Sequence, residues 1–170
     1  MIIFPNNTKK GKGFSLVEMV IYLSIMTVIT LVIVQSIVII LRSNKQSFNN
    51  NVIENSAVSV LERIKRETRR AREVDLLNSN LSLGQLQMNV FEEDGNLSTA
   101  KIVLDEHGKV EVYEGGTLMG PLTVSGATVT TLSFTLIQTE KSEAIRTTLV
   151  IKSGDKTGTF YSTEILRGSY

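Results

Sequence analysis

The 170-residue sequence contains no cysteine, no tryptophan, one histidine and two prolines. Without cysteine, a structural disulfide, thiol catalysis and a cysteine-based zinc site are all excluded. The single histidine, His107, lies in the acidic turn 105–108, where we expect a solvated loop residue rather than a catalytic base. Gly115 and Gly116 are not followed by the lysine of a phosphate-binding loop. These residues predict a protein that is not an enzyme and that uses no cofactor.

An excess of charge of one sign is also lacking. The chain has 18 Lys and Arg against 17 Asp and Glu, a net charge of +1 at pH 7. Three of the cations, Lys9, Lys10 and Lys12, precede Gly13, so the rest of the chain has 15 basic and 17 acidic residues. A near-neutral protein is not drawn to polyanions by its net charge, and on this ground we expect no nucleic-acid partner.

The sequence also contains one long apolar run, residues 13–41. It contains a single charged residue, Glu18, and no proline. The roughly 28 residues after Gly13 would form a helix about 42 Å long, whereas about 20 residues span a hydrocarbon core of ~30 Å. A secretory signal has a shorter apolar region, of about 7–15 residues, and a small-residue cleavage site after it. The run therefore predicts a straight membrane helix and not a secretory signal.

The charges around this run predict its orientation. The lysines before Gly13 outnumber the nearby cations that follow the run, Arg42 and Lys45. Positive flanks stay in the cytoplasm, so we expect a cytoplasmic amino terminus and an extracytoplasmic carboxy-terminal domain. Glu18 is costly in a membrane, and such a carboxylate usually has a partner or a task.

The junction between the lysines and the run, residues 9–18, reads KKGKGFSLVE. It resembles the type IV prepilin signal, which has a basic leader, a glycine before the cut, an aromatic residue after it and a glutamate five residues beyond the glycine. The resemblance implies that a prepilin peptidase cleaves between Gly13 and Phe14 and methylates the Phe14 amine. It further implies that Glu18 pairs with the terminal amine of a neighbouring subunit when the filament assembles.

The resemblance thus implies a minor pilin or pseudopilin, a subunit of a pilus, a type II secretion pseudopilus or a competence pilus. Its partners would be the peptidase, other pilin subunits, an inner-membrane assembly platform and, before assembly, lipid. The sequence VLERIKRETRRAREV, residues 60–74, is similar to the corresponding region of minor pseudopilins of the J type and minor pilins of the PilW type. Two alternatives remain open: a single-pass anchored binding or sensor domain outside the cytoplasm, and a DNA-uptake pilin.

A second helical pattern follows a polar, asparagine-rich stretch, residues 43–51, which is either a hinge or a weak part of one long helix. Apolar positions recur there at steps of three and four residues, which predicts an amphipathic helix over residues 42–76 that packs on a sheet. The predicted stripe consists of Ile53, Ala57, Val60, Leu61, Ile64, Thr68, Ala71 and Val74.

Six cations on this helix invite a DNA-binding interpretation: Arg63, Lys65, Arg66, Arg69, Arg70 and Arg72. We favour instead a solvated face on which Glu62, Glu67 and Glu73 form pairs at i,i+3 and i,i+4. No aromatic residue lies among the arginines to stack on bases.

Strand patterns replace the helical pattern after residue 76. Turns rich in glycine and acidic residues separate the predicted strands and indicate an antiparallel meander. The strands are 83–91, 97–104, 110–113, 117–124, 129–138, 144–152 and 159–166. The aromatic residues Tyr113, Phe134, Phe160 and Tyr161 are expected in the core and in cross-strand contacts.

The predicted fold class is α+β, with a long helix laid on an antiparallel sheet, as in pilins. The predicted parts are a leader (1–13), an apolar helix (14–41), an amphipathic continuation (42–76) and a sheet domain (77–170). The acidic turns 92–94 and 105–106 lack the alternating acidic pattern of a calcium loop, so we predict ordinary surface turns and no metal site.

Overall fold

The structure is a computed structural model that describes residues 15–91, 96–139 and 142–166. Its first element is one long helix, α1 (Leu16–Arg70), which is continuous through the asparagine-rich stretch 43–51. The stretch is thus helical in the structure. The chain divides into two compact units, Met1–Asn44 and Lys45–Tyr170.

Eight strands follow α1 in the described residues and form two antiparallel sheets. One sheet has the order β1-β2-β3-β4-β5 and the other the order β6-β7-β8, so each is a meander in which chain neighbours pair. The strands are β1 (Ala71–Val74), β2 (Gln85–Phe91), β3 (Leu97–Leu104), β4 (Val110–Glu114), β5 (Thr117–Pro121), β6 (Thr128–Gln138), β7 (Glu143–Ser153) and β8 (Lys156–Ile165). The α+β prediction is confirmed, with two sheets in place of one meander.

The tight turn between β4 and β5 shows why the chain reverses where it does. Gly115 and Gly116 have φ angles of +54° and +83°. A two-residue hairpin turn in which both central residues have positive φ matches the twist of the strands, and glycine adopts that backbone at no steric cost. The predicted turn at these two residues is therefore confirmed.

The helix ends at Arg70, earlier than predicted, and Ala71 and Val74 lie on β1. Their spacing of three residues resembles a helical pattern, but it arises from the pairing of β1 with β2. Ala71 is opposite Val90 and Val74 is opposite Met88, with an irregularity in register between residues 71 and 73. Such a bulge adds one residue to the strand, which lets two positions three apart face the same side of a sheet.

Several predicted strand limits differ from the observed ones, and β8 begins at Lys156, three residues before its predicted start. Leu83, predicted to open a strand, belongs to a short 3₁₀ turn (Leu81–Leu83), and β2 starts two residues later. β5 stops at Pro121, three residues before the predicted end. The limits of β3 are as predicted.

The core of the second unit lies between the later part of α1 and the sheets. From the predicted stripe, Ile53, Ala57, Val60, Ile64 and Thr68 are buried. The four apolar members of this set join a cluster of buried strand residues that alternate with half-buried ones, as in β2, where Leu86, Met88 and Val90 point inward. Burial of each such side chain stabilises the fold by roughly 1.5–3 kcal/mol.

Candidate functional site

The described part of the first unit, residues 15–44, is an apolar helix whose apolar side chains are exposed. Its best 18-residue window has a mean hydropathy of 2.6 and is not buried at all. Large apolar residues from Leu16 to Leu41 are between 41% and 80% exposed. Exposure of this extent on a monomer marks a surface that lipid or other helices cover.

Glu18 lies in the first turn of α1 and is half-buried. The hydroxyl of Tyr22, one helical turn later, donates a long hydrogen bond of 3.4 Å to Glu18 Oε1. Among the described residues no cation forms an ion pair with this carboxylate. Tyr22 was not singled out in the sequence, although the i,i+4 spacing would have indicated it.

Four hydroxyl groups along the apolar helix are satisfied within the helix itself. Ser24, Thr27, Thr30 and Ser36 each donate to the backbone carbonyl four residues earlier, at 2.8 Å in every case. These side chains therefore present little unmet hydrogen-bonding capacity to the membrane.

Gly13 and Phe14, the residues predicted to flank the cleavage site, lie outside the described residues. Their roles in cleavage and methylation, like that of Glu18 in assembly, stay predictions. The acidic turn 92–94 likewise lies outside the described part of the chain.

A charged cluster lies at the end of α1 in the second unit, and Glu67 is its centre. The Glu67 side chain is fully buried, with Arg63 Nε 2.9 Å from Oε1 and Arg70 Nη1 3.5 Å from Oε2. Both arginines also contact Glu114 on β4, which ties the helix end to the first sheet. The prediction that Glu67 lies on a solvated face is wrong.

Burial controls the electrostatics of this cluster. Desolvation raises the pKa of Glu67 above its ordinary value, and the charges of Arg63 and Arg70 oppose that rise. Neither carboxylate oxygen of Glu67 accepts an aligned hydrogen bond within the described chain, so the contacts are ion pairs of imperfect geometry. A sequence signal for this residue existed, because position 67 continues the 53, 57, 60, 64 series of the buried stripe.

The outer cations of the helix are partly paired with the second sheet. Lys65 Nζ and Arg69 Nη2 lie 3.7 Å and 3.4 Å from the carboxylate of Glu164 on β8. Arg72 lies over the ring of Phe91 at 6.0 Å from its centroid. Glu73, predicted to pair on the helix, lies on β1 and accepts a hydrogen bond from Asn89.

One open depression remains on this face. It is lined by one acid, Glu62, and four cations, Lys65, Arg66, Arg69 and Arg70. Arg66 forms no ion pair among the described residues. The depression could accept an anionic group, though the Glu164 carboxylate offsets part of its positive charge.

Other side chains of a type that can act in catalysis, metal binding or ligand stacking lie in ordinary turns, strands and core positions. His107 is 86% exposed in its turn, 3.4 Å from Asp105 Oδ2, as expected for a solvated loop residue. Within the described ranges no group of three His, Asp or Glu side chains could hold a metal ion. Phe134 is buried and Phe160 packs on the core as predicted, while Tyr161 is 64% exposed and lies opposite Thr148 in the β7–β8 pair.

The model of the prokaryotic N-terminal methylation motif matches residues 8–34. The chain thus carries a type IV pilin-like prepilin signal, and the matched range includes Gly13, Phe14 and Glu18. Comparison with curated proteins and with solved structures gave no match. The motif and the uncovered apolar helix together support a single-pass anchor in the inner membrane.

Proposed function

We propose that this protein is a structural, non-enzymatic subunit of a type IV filament system, of the minor pilin or pseudopilin kind. The observation that carries the proposal is the union of a prepilin signal with a helix that leaves its apolar side chains uncovered. Such a helix can exchange lipid for neighbouring helices at little hydrophobic cost, so one segment serves first as an anchor and then as filament core.

In this proposal a prepilin peptidase cuts between Gly13 and Phe14 and methylates the new amine. Glu18 then pairs with the terminal amine of a neighbouring subunit. Opposite charges attract strongly in a medium of low dielectric constant, and either one alone would be penalised there. An inner-membrane assembly platform extracts the subunit, whose second unit lies outside the cytoplasm.

The experiment is intact-mass and amino-terminal analysis of protein extracted from membranes after coexpression with a prepilin peptidase. The wild type should begin at N-methylated Phe14, while Gly13→Ala should keep residues 1–13. Retention of the leader in the wild type, with a control prepilin fully cut, would leave a single-pass binding or sensor domain as the better interpretation.

A DNA-uptake pilin is the second candidate, favoured by the four cations that line one depression on the helix face. The fragment 45–170, a compact unit, should then retain DNA at low salt and release it as salt rises. Replacement of Arg66 and Arg69 by glutamine should abolish retention, whereas Lys156→Gln on β8 should not. Absence of retention at low salt would remove this candidate.

A further inference from the structure

Gln35 is a polar residue of the apolar helix whose side chain forms no hydrogen bond with its own helix. The hydroxyls around it, such as Thr30 and Ser36, donate to carbonyls of their own helix at 2.8 Å. Gln35 is exposed and makes no hydrogen bond within the described residues. Its amide has two donors and an acceptor, and leaving them unmet in hydrocarbon costs several kcal/mol.

Gln35 lies within the apolar run, six residues before its last member, Leu41. Arg42, the first charged residue after the run, lies seven residues further on, about 10 Å along a helix. That distance is about two helical turns, which exceeds the length of a glutamine side chain. The next residues on the same side, Val38 and Ile39, are apolar. A second helix is therefore the natural source of hydrogen-bonding partners for this amide.

We propose that Gln35 joins two copies of this chain in the membrane through reciprocal amide hydrogen bonds. The proposal requires only that the apolar helix lies in a bilayer, and not that the leader is cleaved. All copies share one orientation, so a parallel pair brings Gln35 of each chain to the same depth. Glu18, the other strongly polar residue of the run, is 17 residues away, about 25 Å along the helix.

The helix also offers a seam suited to such a pair. Positions at alternating steps of three and four residues lie along one side of a helix and form the contact of a parallel two-stranded coil. With Gln35 at one such position, the seam contains Val17, Ile21, Ser24, Val28, Leu31, Gln35, Val38 and Arg42. The β-branched residues Ile21 and Val28 share the heptad position of Gln35, as does Arg42 after the end of the run. A polar residue at this position of a coil can set register and oligomeric state.

The first test measures self-association of the full chain in liposomes by energy transfer between labelled copies, without a peptidase. Gln35→Leu should weaken association by about 3- to 30-fold, the range that interhelical hydrogen bonds give in membranes. Gln35→Asn should restore part of it. Ser36→Ala is the matched control and should have no effect, because its hydroxyl is satisfied by Val32. Equal association of Gln35→Leu and wild type, or a wild type that stays monomeric, would overturn the proposal.

A second test locates the interface. Because the chain has no cysteine, single cysteines can be introduced without background crosslinking. Leu31→Cys and Val38→Cys, on the seam, should crosslink readily in membranes, whereas Ile33→Cys and Ile37→Cys, on the opposite side, should not. Crosslinking that is equal around the helix would contradict the proposal. A Gly13→Ala chain should pair like the wild type, so a failed cleavage experiment and a failed pairing experiment remain distinguishable.

Discussion

Arg63 Nε lies 2.9 Å from Oε1 of Glu67, a carboxylate that is completely buried at the end of the long helix. The contact spans one helical turn and is reinforced by Arg70 and by Glu114 on β4. Two cations and two acids thus form a neutral cluster between α1 and the first sheet. A buried charge without its partner is costly, so this cluster governs how firmly the helix end is held.

Removal of Arg63 should destabilise the second unit. We expect Arg63→Met to lower the free energy of unfolding of the fragment 45–170 by about 2–4 kcal/mol at neutral pH, since Glu67 then keeps only Arg70. Urea unfolding followed by circular dichroism measures the change. Arg66→Met removes an exposed arginine of the same helix that forms no ion pair within the described part of the chain, and should change stability by no more than about 0.5 kcal/mol. Equal losses for the two variants would contradict the role given to the buried pair.

Stability should depend on pH through Glu67. Burial raises the pKa of this carboxyl above the ordinary 4.5, so between pH 4.5 and the higher value the folded protein binds more protons than the unfolded chain. The stabilising contribution is therefore complete below pH 4.5 and is lost as the pH rises through the folded-state pKa. Unfolding free energies of the wild type and Glu67→Gln, compared from pH 4 to 7, should show the wild type losing relative stability as the pH rises. If the wild type instead gained stability relative to Glu67→Gln as the pH rises, the charges of the arginines, and not burial, would determine the direction of the pKa shift of Glu67.

Replacement of Glu18 should separate processing from assembly. Because cleavage occurs before Phe14, Glu18→Ala should be cut and methylated but should enter filaments at least about tenfold less, the effect of losing ~1.4 kcal/mol of pairing energy. Immunoblots of sheared filaments and of membranes measure both. Tyr22→Phe removes only the hydroxyl 3.4 Å from Glu18 and should assemble within about twofold of the wild type. Normal incorporation of Glu18→Ala would exclude the proposed charge pair.

Gly84 connects the short 3₁₀ turn to β2 and approaches β6 closely. Its φ is +74°, and an added Cβ would lie 2.9 Å from the backbone oxygen of Leu132. Gly84→Ala should therefore combine backbone strain with a clash and cost about 2–5 kcal/mol. Gly116→Ala is the matched control, because Gly116 has φ +83° with open space around it, and it should cost about 1–2 kcal/mol. Thermal unfolding of both variants in the fragment 45–170 measures the difference, and similar losses would show that the contact with β6 is unimportant.

The second helical stripe shows how far periodicity predicts burial. Five of its positions, from Ile53 to Thr68, are buried as expected. Ala71 and Val74 also pack inward, but on a strand, because pairing with β2 outweighs the local helical pattern. A bulge is an irregularity in the pairing of two strands, so the local sequence of one strand does not predict it.

Glu67 shows that local sequence also fails to predict whether a charged side chain is buried. Its neighbours in the sequence are cations, which favours a solvated face with i,i+3 and i,i+4 pairs. The pairs exist, but β4 places Glu114 against the same arginines and encloses the carboxylate. Whether an ion pair is exposed or buried depends on what packs against the helix.

The amino-acid sequence by itself determined the prepilin-type signal, the apolar helix and the α+β class. Each of these features depends on residues that are close together in the sequence. Hydrophobic periodicity and turn-forming residues can therefore be recognised without knowledge of the tertiary structure. The tertiary structure alone decided the end of the helix at Arg70, the division into two sheets and the burial of Glu67. Those features arise from contacts between residues far apart in the chain, where pairing and desolvation outweigh local preference.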